Sequence, residues 1–358
     1  MTTQQKTLFL IGPGFIGGTL LQHLKQRRPD LKLTALTRRE EQAKELQDLG
    51  IEPIKGGLDD ASIIKEHASK ADIVIHVATA DHLESALAVV DGIKSRADKS
   101  KKVVYIHTSG NNELAQAAKG LEKASVEDKI LSDSQGDEAI EKRLASDAPH
   151  RQVDGPLREQ LFNDAAEKAN NASTTVMMPP LVYGIGAAPW HRISIQAPIL
   201  ARAMMQNGNT IALDRAVAEY AYWDAVSVHD LSEAFVVLLA QLEKHTPGES
   251  QPSHYCFPAE PAPFPWAALF DAISSQLQKH AHPAGQASPK VLSDRAAFED
   301  FLGGKETGFA PVFGQIVFER DNCYTRPDRL HALGFKHKAK GVVDSVVNGG
   351  ELEPLIKE

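Results

Sequence analysis

Residues 7–18 read TLFLIGPGFIGG, an apolar run followed by glycines at Gly12, Gly14 and Gly17, and Leu20, Leu21 and Leu24 then fall on one helical face. Such a run suits a strand buried on both faces, and the change to helical spacing marks a helix entered directly from it. The pattern recurs. Beyond a first strand over 6–11, strands are expected over 31–36, 51–55, 71–77 and 102–107, with helices over 40–49, 61–69 and 81–97 between them. Five strands alternating with helices predict an α/β protein with a Rossmann-type, doubly wound parallel sheet and right-handed crossovers.

The chain is 358 residues long, beyond the roughly 250–300 at which a single core stops growing. Two lobes are therefore expected: a nucleotide-binding domain over 1–180, and a smaller C-terminal α/β substrate lobe over 181–358, with 226–245 returning to the first. A helix is expected over 157–168, a strand over 174–178, a helix over 190–205, extended chain over 220–228 and a helix over 229–242. Residues 258–265, with four prolines, read as a rigid linker or loop. The charged stretch 110–156 reads as a surface excursion, whose part 122–143 is a solvated face or a lid.

The formal net charge of −8 argues against nucleic acid or an anionic membrane as partner, since both demand a basic face. The apolar stretch 8–18 is too short and too broken by glycine and proline for a targeting segment, and no run approaches a bilayer span. A cytoplasmic protein is expected, its two cysteines, Cys256 and Cys323, being free thiols. No metal site is expected, because the His280–His282 pair has no acid or cysteine grouped with it.

Gly12-x-Gly14-x-x-Gly17 sits between a strand and a helix, the context that gives this spacing meaning. Gly12 permits the tight turn, Gly14 lets the backbone approach a pyrophosphate, and Gly17 lets the helix pack closely on the strand. The start of the helix, at Phe15 and Ile16, offers free amides and a positive dipole end to phosphates. At the end of the second strand, where a site for NAD carries an acidic residue, the chain has Arg38 and Arg39. Two guanidiniums suit a 2′-phosphate, so NADP(H) is expected over NAD(H). The plainer reading is a solvated first helical turn.

Further motifs make the chain resemble the extended short-chain dehydrogenase/reductase family, also called the NAD-dependent epimerase/dehydratase family. They are GPGFIGG at 12–18, GGLDD at 56–60, DIVIHVA at 72–78, VYIHTSG at 104–110, MPPLVYGIG at 178–186, VSVHDLSEAF at 226–235 and RPDRLHALGFK at 326–336. The resemblance implies adenine contacts from Leu58 and Asp59, a nicotinamide ribose flanked by Ala78 and Thr79, and carboxamide contacts from Pro179 to Leu181. It also implies a monomer or homodimer acting on a small molecule. The family's Gly-Asp-Leu triplet reads Gly56-Gly57-Leu58 here.

The family's Tyr-x-x-x-Lys is absent, and no tyrosine occurs between 110 and 170. Ser109, with Thr108 as second choice, matches the hydroxyl that orients a substrate carbonyl; alternatively either hydroxyl simply ends the strand. Where the next helix should begin, His150 and Asp154 stand four apart, the spacing of one helix face. They are candidates for a proton-transfer pair. The alternative makes His150 a surface residue and Asp154 a helix cap. Tyr183 and His229 fall in segments that line the family's cleft, and Tyr220, Tyr222 and Trp223 are candidates for an aromatic substrate wall. The expected function is an NADP(H)-dependent oxidoreductase acting on a carbonyl or hydroxyl, with a non-catalytic NAD(P)-binding sensor or an epimerase, isomerase or lyase as alternatives.

Overall fold

The computed structural model describes residues 5–357. Strands β1 (Lys6–Ile11), β2 (Leu31–Thr37), β3 (Glu52–Lys55), β4 (Ile73–His76) and β5 (Val103–Thr108) alternate with helices α1 (Phe15–Arg27), α2 (Glu40–Asp48), α3 (Ala61–Lys70) and α4 (Leu83–Lys94). Two later strands, Ala172–Met177 and Tyr255–Cys256, extend the same sheet beyond β5, and every pairing in it is parallel. The order is Tyr255–Cys256, Ala172–Met177, β5, β4, β1, β2, β3. It reverses direction between β1 and β4, and a crevice opens there at the carboxyl ends of the strands.

Alternation along β1 divides the core. Leu8 and Leu10 face α1 and the helix Val228–Lys244, together with Leu20, Leu24, Phe235 and Leu239. Phe9 and Ile11 face the other side with Ile64, Val89 and Ile93 of α3 and α4. A third core, with Trp223, Trp266, Phe270, Phe298 and Phe313, belongs to the C-terminal part of the chain. The helix Val228–Lys244 thus packs on α1, although it follows the first residues of that C-terminal part.

Several local expectations shift. The helix expected over 157–168 is two helices, Arg151–Gln160 and Asp164–Asn170. Phe162 between them is fully buried, and the Asn163 side chain accepts from the Ala166 amide to start the second. The helix expected over 190–205 begins at Gln196, because Trp190 is used otherwise: its indole donates to the Pro13 carbonyl at 2.6 Å. The proline-rich stretch contributes Phe264–Pro265, paired antiparallel with Tyr222–Trp223.

The excursion 110–156 is more than surface. Ile130–Ser132 pairs in parallel with Tyr324–Arg326, and the fully buried Asp133 accepts from the amides of Phe257 and Arg329. These bonds tie it to the C-terminal part of the chain.

Candidate active site

The glycine loop is a rigid cradle. Gly12 has φ +92°, and a Cβ there would stand 2.5 Å from the backbone nitrogen of Ala78. A Cβ on Gly17 would meet the Gly12 carbonyl oxygen at 2.2 Å, so the turn and the close helix–strand approach both demand glycine. At Gly14 the same position meets nothing within 4 Å. The loop backbone is open to a ligand at that residue and closed at its neighbours. The Pro13 carbonyl is held from both sides, by the Trp190 indole and by the Gln42 amide at 2.6 Å. Phe15 lies against Gly186, and Ile16 lines the neighbouring cavity described below.

Gly12, Pro13 and Gly14 share a cleft of about 470 Å³ with Arg38, Arg39, Leu58, Asp59, Ala78 and His82. Among the described residues, neither Arg38 nor Arg39 has a side-chain hydrogen bond or ion pair, because the adjacent Glu40 is taken by Lys55. Asp59 is pinned by His82 Nε2 at 3.1 Å. Its neighbour Asp60, rather than Asp59, closes the loop by accepting from the Gly57 amide at 2.7 Å. Thr79 accepts from the Asp81 amide and lies beside the cleft in sequence without lining it.

Past Ile16 a second cavity of about 380 Å³ begins. Ser109, Gly110, Asn111 and His150 line one part of it, and Pro179, Pro180 and Leu181 another. The remaining wall is mostly apolar, with Ile195, Ile199, Trp223, Trp266, Phe313 and Ile316, and carries the polar Asn112 and Gln196. None of residues 122–143 lines it.

The sequence pairs His150 with Asp154; the structure joins His150 to Asp81. His150 precedes the helix Arg151–Gln160 with φ +69°, so it lies outside the helical register that puts residues four apart on one face. Its Nδ1 lies 2.6 Å from the Asp81 carboxylate, and its Nε2 lies beside Gly110 at the cavity wall. Asp154 is buried in the first turn of that helix rather than capping it. His107 Nε2 lies 3.7 Å from its Oδ1, and the Glu113 carboxyl is a further close neighbour.

Beneath the cavity these groups form a buried polar patch. The hydroxyls of Thr108 and Ser109, both carboxyl oxygens of Glu113 and His107 Nε2 are buried without partners among the described residues. Burial, together with the nearby Asp154 carboxyl, drives the Glu113 pKa well up; burial also raises Asp154, and it drives the His107 imidazole well down. Of the two neighbouring acids Glu113 holds its proton the more firmly, close to Ser109.

The other aromatic candidates divide. Trp223 joins the apolar wall, whereas Tyr220 carries the Arg320 guanidinium 3.9 Å above its ring and donates to the Phe318 carbonyl. Tyr183 donates to Glu260, and with His229 it lines a separate cleft. Sequence reasoning missed Asp81, which carries no signal beyond its place after β4. It also missed Trp266, Phe309 and Phe313, whose spacing looks like ordinary core.

Comparison with known proteins accords with this geometry. Residues 12–148 match the family model described as NAD(P)H-binding. The chain is 25% identical over 242 residues to the oxidase ucsJ of Acremonium sp, an alignment covering 65% of this chain and 66% of that protein, just under two thirds of its length. The UDP-glucose 4-epimerase of Thermotoga maritima, solved with UDP-glucose, superposes with a TM-score of 0.64 at 12% identity, covering 98% of this chain and all of that one. The dTDP-glucose 4,6-dehydratase of Bacillus anthracis, solved with NAD, gives 0.61 at 13% identity over 98% and 97%. The terminal R domain from the myxalamid PKS-NRPS biosynthetic pathway gives 0.62 at 13% identity over 99% and 92%. The chain therefore carries an NAD(P)-binding domain in the fold of the epimerase and dehydratase enzymes.

Proposed function

We propose that the protein is an NADP(H)-dependent oxidoreductase that interconverts a carbonyl and a hydroxyl on a bulky apolar molecule. The observation that carries this reading is the shared cavity. Ser109 and His150 stand with Asn111 and Asn112 at its polar end, it borders the glycine loop at Ile16, and its other walls, Gln196 apart, are mainly aromatic and aliphatic.

The cleft suits a dinucleotide on the chain's own chemistry. Gly12, Gly14 and the first amides of α1, at Phe15 and Ile16, cradle the pyrophosphate, with Gly17 setting the approach of helix to strand. Leu58 and Asp59 receive the adenine end, and Ala78 the ribose near the nicotinamide. Thr108, Pro179 and Leu181 complete the nicotinamide end. The unpaired Arg38 and Arg39 favour a 2′-phosphate, which distinguishes NADP(H) from NAD(H).

A bound reduced nicotinamide supplies a hydride to the carbonyl carbon or, in reverse, accepts one from a carbinol. Ser109 donates a hydrogen bond to the substrate oxygen and orients it. His150 gives that oxygen its proton from Nε2 while Asp81 fixes the ring and its tautomer through Nδ1. The net change for reduction is one carbonyl and one proton consumed with the hydride, giving one alcohol and the oxidised cofactor. Glu113 lies behind Ser109 beside Asp154 and keeps a proton there.

The test is NADPH consumption against a panel of aromatic and long-chain aldehydes and ketones. Turnover is expected with the bulky members and little with acetone or acetaldehyde. Micromolar NADP(H) binding without turnover on any member would instead favour a sensor.

A further inference from the structure

We propose that Asp164, Glu167 and His254 form a binding site for one divalent transition-metal ion, zinc by preference, at the lateral edge of the sheet away from the dinucleotide cleft. The three residues come from the helix Asp164–Asn170 and from the residue just before the edge strand Tyr255–Cys256. That edge strand pairs with Val176 and Met177, and the strand Ala172–Met177, β5 and β4 separate it from β1 and the glycine loop.

The distances fit an ion better than they fit hydrogen bonds. His254 Nε2 is 3.8 Å from Asp164 Oδ1 and 3.6 Å from Glu167 Oε1, and one ligand atom from each of the three residues lies within 4.8 Å of the other two. A tetrahedral ion with bonds of about 2.0–2.1 Å holds its ligand atoms roughly 3.3 Å apart, so the two carboxylates must close on His254 Nε2 by about 0.3–0.5 Å and on each other by at most about 1.5 Å. His254 is 3% exposed, yet its Nε2 has no hydrogen-bond partner, and the second oxygen of the fully buried Glu167 has none either. A buried imidazole nitrogen without a partner is costly to fold around unless something binds it.

The surroundings are those of a prepared ligand set. His254 Nδ1 lies 2.7 Å from Asp137, a carboxylate–histidine pair that fixes the ring and directs Nε2 at the site. Glu167 is held by the Thr174 amide at 2.5 Å and the Thr174 hydroxyl at 2.8 Å. His245 Nε2 faces the other Glu167 oxygen at 3.4 Å, also without a hydrogen bond. With neutral histidines, Asp137, Asp164 and Glu167 against Arg158 leave two negative charges, the complement of a divalent ion. An imidazole beside two carboxylates selects zinc over magnesium or calcium, which take all-oxygen sets. The Asp164 side chain is half exposed and gives the ion a way in.

The full chain, dialysed against EDTA and freed of it, should bind one equivalent of zinc by calorimetry, and cobalt(II) should develop the visible absorption of a low-coordinate complex. The thermal midpoint should rise with zinc concentration. His254→Gln should lower zinc affinity about 100-fold. Asp164→Asn, at an exposed position, should lower it about 10-fold while leaving the metal-free midpoint and dinucleotide binding unchanged. Replacing both His280 and His282 with alanine should leave affinity unchanged. Absence of saturable zinc binding, unchanged affinity in Asp164→Asn and His254→Gln, or a doubly protonated His254 in nitrogen NMR with zinc present would each overturn the proposal.

Discussion

The glycine loop yields a paired prediction in which stability and ligand binding separate. At Gly12 an added methyl meets two costs. The backbone has φ +92°, which costs an L-residue roughly 1–2 kcal/mol, and the new carbon would stand 2.5–2.6 Å from the Ala78 backbone, an overpacking worth about 1–3 kcal/mol. Gly12→Ala should therefore lose about 2–5 kcal/mol, or shift β1 from β4 and lose dinucleotide binding with it. At Gly14 a Cβ meets nothing within 4 Å of protein and φ is negative. Gly14→Ala should leave the denaturation midpoint within about 0.5 kcal/mol of wild type. If a pyrophosphate passes over this residue, the methyl occupies its path, and NADPH affinity should fall at least 10-fold. Chemical denaturation and fluorescence titration with NADPH read the two effects separately. A Gly14→Ala protein that binds NADPH as tightly as wild type would refute the placement of the phosphates.

Four other variants address the proton relay, the cofactor corner and a buried acid. His150→Ala should lower kcat about 100-fold or more with little change in NADPH affinity. Asp81→Asn should cost only about 5- to 10-fold, because that carboxylate is half exposed and screened; an unchanged rate in His150→Ala would remove it from the reaction. Arg38→Ala with Arg39→Ala should weaken NADPH at least 10-fold and NADH about 2-fold or less, read by calorimetry; equal losses would remove the 2′-phosphate contact. Burial raises the Glu260 pKa to about 7 in the folded chain against 4.5 when exposed. The native state therefore holds the extra proton, and this group's contribution to stability falls as pH rises from about 4.5 to 7. Glu260→Gln, which keeps an acceptor for Tyr183, should flatten the stability–pH curve in that window, and an unaltered slope would contradict the assignment.

The sheet was legible because its strands are buried on both faces and read as unbroken apolar runs such as TLFLI and VVYIH, with glycine marking the change of period after β1 and β3. Gly12 and Gly17 declared their roles through their place between strand and helix, and a β-carbon at Gly17 would run into the Gly12 carbonyl of the same turn. What the sequence hid depends on long-range closure. The pairing of 130–132 with 324–326 and the two bonds to Asp133 bridge segments between 124 and 196 residues apart. The His150–Asp154 spacing misled because it assumes both residues lie within a helix, whereas His150 takes a left-handed conformation before the first turn and turns its ring to Asp81. Trp266 and Phe313 carry helical spacing that core and cavity wall share, so only the packed structure separates these roles.

The central claim is a hydride transfer within the cavity that Ser109 and His150 share. It is tested most directly by single turnover with NADPH carrying deuterium at the transferable position of its nicotinamide, mixed with a bulky aromatic ketone and analysed by mass spectrometry. The account predicts an alcohol with one deuterium on the carbinol carbon, formed at least 100-fold more slowly by His150→Ala. NADPH bound at stoichiometry with no label transferred to any bulky carbonyl would contradict it.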